Sequence, residues 1–190
     1  MSGERQVKVL YDERTIAERT EALAREIAAA KPKNLLVVAI LKGSFMFAAD
    51  LLRALHRVGL EPQVEFFHLS SYLSGTVSSG TVKILRDIES SIRDRDVLLV
   101  DDILESGRTL AFAKDLLIAR GARRVLVCTM LEKPGKRAVD ISADFIGFVC
   151  PDVFVVGYGM DVAHSYRELP FIGRVVTAQD AAVSEAVSGV

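Results

Sequence analysis

Apolar residues along this chain fall into short uninterrupted runs that alternate with longer segments of helical period. Leu35 to Leu41 is too short for a typical globular helix and too uniform for a half-exposed strand, so it predicts a central parallel strand buried on both faces. Arg124 to Met130 reads the same way, and Val97 to Val100 is a third such run. Val64 to Leu69, with Phe66, Phe67 and His68, is β-like. Val82 to Leu85 is another strand, and Phe145 to Val149 and Val153 to Val156 are two short β segments parted by Pro151-Asp152. Between these runs lie helical patterns. Ile16, Leu23 and Ile27 share one face of a helix that ends near Lys31-Pro32, opened by Asp12 or by Thr15, with Glu18 completing a capping-box pattern. Phe45 to His56 is a second helix, stopped by Gly59. A third follows the Val97 run, passing through Leu116 and Leu117 and stopping at Gly121. A short apolar lead (Val7, Val9, Leu10) precedes them all, and the alanine- and serine-rich tail from Val176 to Val190 is a loose helix or a strand end. Strands alternating with helices over crossovers of ordinary length predict an α/β fold with a mostly parallel sheet.

Length and composition narrow the picture. With 190 residues, half of them hydrophobic, the chain buries a full core, and residues 1–190 are expected to form a single domain without internal repeat or linker. The 24 basic and 25 acidic residues leave a formal charge of −1, so no global field recruits nucleic acid or an anionic membrane, and anion binding must be local. Cys128 and Cys150 lie far apart in apolar runs, outside any C-x-x-C spacing, and read as buried thiols in a reducing compartment. Met1 to Lys8 is too polar for a signal peptide, and no apolar run approaches the roughly 18 residues needed to span a bilayer. The expectation is a soluble cytoplasmic protein. His56, His68 and His164 are spaced neither as a metal site nor around a nucleophile, and read as surface or packing residues.

The chemistry concentrates in Val97 to Leu110. There an apolar run ends in Asp101 and Asp102, passes through Glu105-Ser106-Gly107-Arg108-Thr109, and resumes as a helix. Ligands of open α/β sheets sit outside the carboxyl ends of strands, and helix N-termini favour phosphate. The turn from Glu105 to Thr109 is therefore a candidate phosphate cradle; the same residues also serve as ordinary helix caps. Capping needs one acceptor, whereas two carboxylates beside a phosphate site suit sugar hydroxyls or a metal ion. Neither common nucleotide loop is present: there is no G-x-x-x-x-G-K-[ST], and the G-x-G at Gly157 and Gly159 lacks a third glycine. Lys42-Gly43-Ser44, after the first buried strand, brings a cation and an unshielded backbone to the same sheet end, or is a solvated turn. The serine-, threonine- and glycine-rich connection from Ser70 to Thr81 is either a disordered surface loop or a mobile lid, and Tyr72 within it favours the lid. Lys133, Lys136 and Arg137 read, on their own, as a solvated basic turn.

These stretches together carry a resemblance. Val97 to Leu110 resembles the phosphoribosyl-pyrophosphate-binding signature of type I phosphoribosyltransferases. Leu41-Lys42-Gly43-Ser44-Phe45, Ser71-Tyr72, Lys133-Pro134 and Phe154-Val155-Val156-Gly157-Tyr158-Gly159-Met160-Asp161 narrow it to the hypoxanthine (or hypoxanthine-guanine) phosphoribosyltransferases, in the right order over nearly the whole chain. The resemblance implies a mostly parallel twisted sheet flanked by helices, with a small hood from the terminal segments and a flexible active-site loop. It implies Mg²⁺ as cofactor, a 6-oxopurine and phosphoribosyl pyrophosphate as small-molecule substrates, no nucleic-acid or membrane partner, and a homodimer or homotetramer. It further implies that Asp101, Asp102, Ile103, Leu104, Glu105, Ser106, Gly107, Arg108 and Thr109 bind the phosphoribosyl group. Asp101 and Asp102 would address the ribose hydroxyls and the metal. Lys42 and Gly43 would contact pyrophosphate in a loop that tends to a cis peptide, as would Arg167, and Asp161 would be a further magnesium ligand. Phe154 would stack on the purine, the Val155 backbone would read its edge, Lys133 would donate to the 6-oxo group, and Ser71 and Tyr72 would close over the reacting centre.

One residue departs from the pattern. The family usually has Asp where this chain has Glu105, the position of the general base or hydrogen-bond partner at purine N7. Glutamate keeps the carboxylate and adds a methylene, so Glu105 is expected to retain the role with an adjusted rotamer. The Asp101-Asp102 pair, where Glu-Asp is common, departs less consequentially. A xanthine- or guanine-preferring enzyme is the alternative within the same chemistry, since no base-side residue fixes how the purine 2-position is treated. A non-catalytic regulator on the same fold would carry an added nucleic-acid-binding element or a basic surface, and the sequence has neither.

Overall fold

A computed structural model describes residues 6–71 and 82–176. The elements run β1 (Val7–Tyr11), α1 (Glu13–Ala29), β2 (Leu36–Leu41), α2 (Phe45–Arg57), β3 (Gln63–Ser71), β4 (Val82–Arg86), β5 (Asp96–Leu104), α3 (Arg108–Ala119), β6 (Arg124–Glu132), β7 (Phe145–Val149), β8 (Val155–Val156) and β9 (Ile172–Val175). Six strands form a central sheet in the order β4-β3-β2-β5-β6-β7. Within it β3, β2, β5, β6 and β7 run parallel, and β4 closes one edge antiparallel to β3. The expected mostly parallel α/β architecture is thus present.

Alternation along the buried strands explains the layering. Val37 and Ala39 of β2 and Leu98 and Val100 of β5 face Leu23 and Ile27 of α1 and Phe47, Leu51 and Leu55 of α2. Leu36, Val38 and Ile40, with Val97 and Leu99, face Leu110 and Leu117 of α3. Each strand has apolar residues at every position because both of its faces are covered. At the amino ends of the strands, Asp96 is fully buried and accepts from the Lys33 N–H at 2.8 Å and from Arg124 at 2.9 Å, with Arg123 as a further partner. Burial pushes its pKa up, but these donors outweigh burial and hold it below the ordinary carboxylate range.

A second sheet, β1-β9-β8, is built from the chain's start and from segments near its end. This is the small hood the resemblance implies. Val153 to Val156, expected as one strand, contributes only Val155–Val156 to it, and Val176 donates to the Gln6 carbonyl at 2.8 Å, in favour of the strand-end reading of the tail's beginning. Of the two capping residues considered for α1, Asp12 is the cap: its carboxylate accepts from the Thr15 N–H at 2.8 Å. Thr15 lies inside the first turn. Residues 72–81, with Tyr72, and 177–190 lie outside the described residues.

Candidate active site

The carboxyl ends of β2, β5 and β6 converge with the hood. β5 does not stop at its two aspartates: Ile103 pairs with Leu131 and Leu104 with Glu132, so the strand delivers Glu105 at its very end. Two turns meet there with the Gly157–Asp161 segment. The first follows β2, where the Leu41–Lys42 peptide is cis and the buried Ser44 hydroxyl donates to the Ile40 carbonyl at 2.6 Å. Gly43 is required by what lies against it: a Cβ at this position would stand 1.7 Å from Oδ2 of Asp102. Its carbonyl in turn abuts Gly159, where an added Cβ would stand 2.1 Å from it, so the three segments touch through bare backbone and one carboxylate.

The second turn opens α3. Its N-cap is Gly107 at φ +79°, which has no side chain to cap the helix. Ser106 keeps part of the cap role from one position further out, its hydroxyl accepting from the Arg108 N–H at 3.5 Å, and no such contact accounts for Thr109. Gly107 also packs where a Cβ would stand 2.5 Å from Ile141. Glu105, Ser106, Gly107 and Thr109, with Asp101, line a small concavity of about 80 Å³, a size that suits one phosphate group. Asp101 is buried; burial, then the Asp102 charge, raises its pKa well above the ordinary range. Burial raises Asp102 as well, against the Ile103 N–H that donates to it at 2.8 Å.

A cavity of about 480 Å³ lies between Glu105, Lys133, Phe154, Val155 and Asp161. The Lys133 side chain is 7 % exposed, and its ammonium stands 3.7 Å from Oε2 of Glu105, which is 41 % exposed. Phe154 leaves 55 % of its surface open, an uncommon expense for a phenyl ring unless a flat partner covers it. Asp161 pairs with Arg167 at 2.6 Å and accepts from the His164 N–H at 2.8 Å, while Arg167 also donates to the Gly159 carbonyl at 2.6 Å. Most of the expected residues thus line two cavities that share Ile103 and Glu105, whereas Leu104, expected among them, is fully buried in the core against α3 and can offer only its main chain. Ser71 ends β3, and Tyr72 lies outside the described residues.

Arg137, expected to be a solvated basic residue, is instead a structural hub. It donates to the carbonyls of Leu104 at 2.9 Å, Glu105 at 2.7 Å and Ile141 at 3.2 Å, and pairs with Glu132. Lys136 pairs with Asp152 at 3.0 Å on the cavity wall. Sequence reasoning missed both because their partners are main-chain carbonyls and a residue 16 positions away, which no local pattern records.

Three comparisons place these features among known proteins. Residues 6–163 match the phosphoribosyl transferase domain. The hypoxanthine phosphoribosyltransferase of Escherichia coli is 43 % identical over 173 residues, covering 90 % of this chain and 96 % of that protein. The bifunctional protein TilS/HprT of Listeria monocytogenes serotype 4b is 47 % identical over 167 residues, 87 % of this chain; the chain spans about a quarter of that longer protein's length (25 %). The crystal structure of a hypoxanthine phosphoribosyltransferase from Staphylococcus aureus superposes with a TM-score of 0.84 at 40 % identity, covering 89 % of this chain and 91 % of that one.

Proposed function

The chain belongs to the phosphoribosyl transferase domain family, and from that premise we propose that it is a purine-salvage hypoxanthine phosphoribosyltransferase. It transfers the phosphoribosyl group of phosphoribosyl pyrophosphate to hypoxanthine, and to guanine, releasing pyrophosphate. The observation that carries this reading is the buried Lys133 ammonium, 3.7 Å from Glu105, facing a cavity floored by the open ring of Phe154. An ammonium only donates hydrogen bonds, so this site rewards a 6-oxo group and leaves the amino group of adenine facing a donor.

The reaction breaks the bond from ribose C1′ to the pyrophosphate oxygen and forms one from C1′ to purine N9. C1′ becomes oxocarbenium-like on the way. The Glu105–Thr109 turn holds the 5′-phosphate at the start of α3, and Asp101 and Asp102 accept from the ribose hydroxyls. Glu105 accepts the imidazole proton at N7 as N9 attacks. Phe154 stacks on the ring, and the Val155 main chain reads the N1 edge. Lys42, the Gly43 backbone and Arg167 receive the departing pyrophosphate. The resemblance assigns Ser71 and Tyr72 the exclusion of water, which would otherwise hydrolyse the activated sugar.

The donor set suits Mg²⁺. Asp102, the buried Asp101 and Asp161 are hard oxygen ligands, and no group of three metal-binding side chains occurs among the described residues. Magnesium fits such a site because it keeps several waters and takes the rest of its ligands from substrate phosphates. When bound, it supplies positive charge to the leaving pyrophosphate.

Phe45, Val64, Phe66 and Leu85 expose large apolar surface at the start of α2 and on β3 and β4, which supports a homodimer or homotetramer. No helix of the described residues is long and apolar enough to cross a membrane, and the free, buried Cys128 and Cys150 fit a reducing cytoplasm. Initial rates with hypoxanthine, guanine, xanthine and adenine, each with phosphoribosyl pyrophosphate and Mg²⁺, test the reading. Turnover of hypoxanthine with adenine inert is expected; no turnover of any 6-oxopurine overturns it.

A further inference from the structure

Tyr158 sits between two glycines, Gly157 at φ +94° and Gly159 at φ +97°, and is itself left-handed at φ +50°. A tyrosine in that region is uncommon and requires surrounding structure to hold it there. Its ring is buried, and its hydroxyl donates to Oδ2 of Asp50 at 2.8 Å, across 108 residues of sequence. Asp50 lies on α2, the helix that begins directly after the Lys42–Ser44 turn, and its other oxygen pairs with Arg53. The Tyr158 backbone is also tied, its N–H donating to the Leu169 carbonyl at 2.9 Å.

We infer that the Tyr158–Asp50 hydrogen bond is a positioning device that sets the spacing between the Lys42–Gly43 turn and the Gly159–Asp161 turn. This rests on the function proposed above and adds to it a pair of residues that touch no substrate. The two turns meet at a contact with no slack, the Gly43 carbonyl against Gly159. Neither turn has regular secondary structure at that point to hold it. Arg167 fixes the second turn from one side, through Gly159 and Asp161. Tyr158 fixes it from the other, to the helix that carries the first turn. Burial, then the bond to Asp50, raise the phenol pKa, so the hydroxyl stays a donor throughout the working range. The hydroxyl end opens on a groove between α1, α2 and the 168–170 segment, away from the cleft where the substrates would lie, so the pair acts through the turns alone.

The test is a double-mutant cycle with Tyr158→Phe and Asp50→Ala, read by KM for each substrate and by calorimetric binding of inorganic pyrophosphate. Loss of one net hydrogen bond predicts about a fivefold weaker pyrophosphate Kd and a similar rise in KM for phosphoribosyl pyrophosphate. KM for hypoxanthine changes less, by about twofold at most, because Lys133, Phe154 and Val155, the residues assigned to the purine, lie outside both turns, although Asp161 also borders that cavity. The double variant loses less than the sum of the two single ones, since the Tyr158–Asp50 bond is common to both, and Asp50→Asn, which keeps an acceptor, recovers most of the loss. Additive effects, equal losses for both substrates, or unchanged pyrophosphate binding in Tyr158→Phe overturn the inference. Because Asp50 is at the protein surface, Asp50→Ala keeps the measurement available if Tyr158→Phe folds poorly. Wild-type turnover is measured first, so failure of the functional reading is seen separately.

Discussion

Gly43→Ala is a single added methyl group whose consequence is computable from the site. The new Cβ would stand 1.7 Å from Oδ2 and 2.5 Å from Cγ of Asp102. Relief requires the carboxylate or the turn to move by more than about 1 Å, a misplacement that costs on the order of a hundredfold in rate. The turn cannot retreat, because the Gly43 carbonyl already rests against Gly159, and Asp102 is held by the Ile103 N–H at 2.8 Å. The carboxylate must therefore leave the position from which it would address ribose and metal. We expect kcat/KM for phosphoribosyl pyrophosphate to fall at least about a hundredfold, equivalent to roughly 2.7 kcal/mol of transition-state stabilisation. The melting temperature should fall by only a few degrees, since Gly43 contributes nothing to either apolar layer. Steady-state kinetics and differential scanning calorimetry on the same preparation provide both readouts. A variant whose kcat/KM stays within about threefold of wild type would refute the claim that this glycine is kept for the carboxylate beside it.

Three further outcomes follow from the site. Glu105→Gln keeps the side-chain length but cannot take a proton, and its kcat with hypoxanthine should drop about 100-fold or more; near-normal turnover would show that Glu105 is not the base. Lys133→Gln supplies an acceptor as well as a donor, so the ratio of hypoxanthine to adenine kcat/KM should shrink at least about tenfold, and an unchanged ratio would remove Lys133 from purine selection. Asp101 bears on stability. Its raised pKa means the folded chain holds a proton that the unfolded chain has already released, so its favourable contribution is complete below the ordinary carboxylate pKa of about 4 and is lost as pH rises through the raised value. Asp101→Asn should therefore raise the melting temperature of the ligand-free protein at pH 7.5 and change it little at pH 4. Equal shifts at both pH values would contradict that account.

Local chemistry made much of this molecule readable from its residues alone. The apolar runs at Leu35–Leu41 and Arg124–Met130 specify strands covered on both faces because no other arrangement hides every position, and the structure places both in the middle of the central sheet. Gly59 and Gly121 mark helix ends because each needs a positive φ. Asp12 and Thr15 are indistinguishable as caps from the residues alone, since either side chain caps a helix and the choice depends on where the chain enters from β1. The residues understate the length of β5 for a similar reason: two aspartates look like a strand's end, yet the ladder to β6 continues past them.

Residue types and their order determined the fold class, the acidic strand end followed by a turn into α3, and the donors and acceptors near it, because propensity, period and donor or acceptor character are properties of the side chains themselves. Tertiary structure decided which of those groups meet. Gly43 is obligatory only because Asp102, 59 positions on, rests against it. Arg137 is a hub only because the Leu104 and Glu105 carbonyls end beside it. Lys133 and Glu105 meet at 3.7 Å only because β5 and β6 are parallel neighbours whose ends deliver them side by side. Such contacts are distances between strands and turns far apart in the chain, and the packing of the sheet is what sets them.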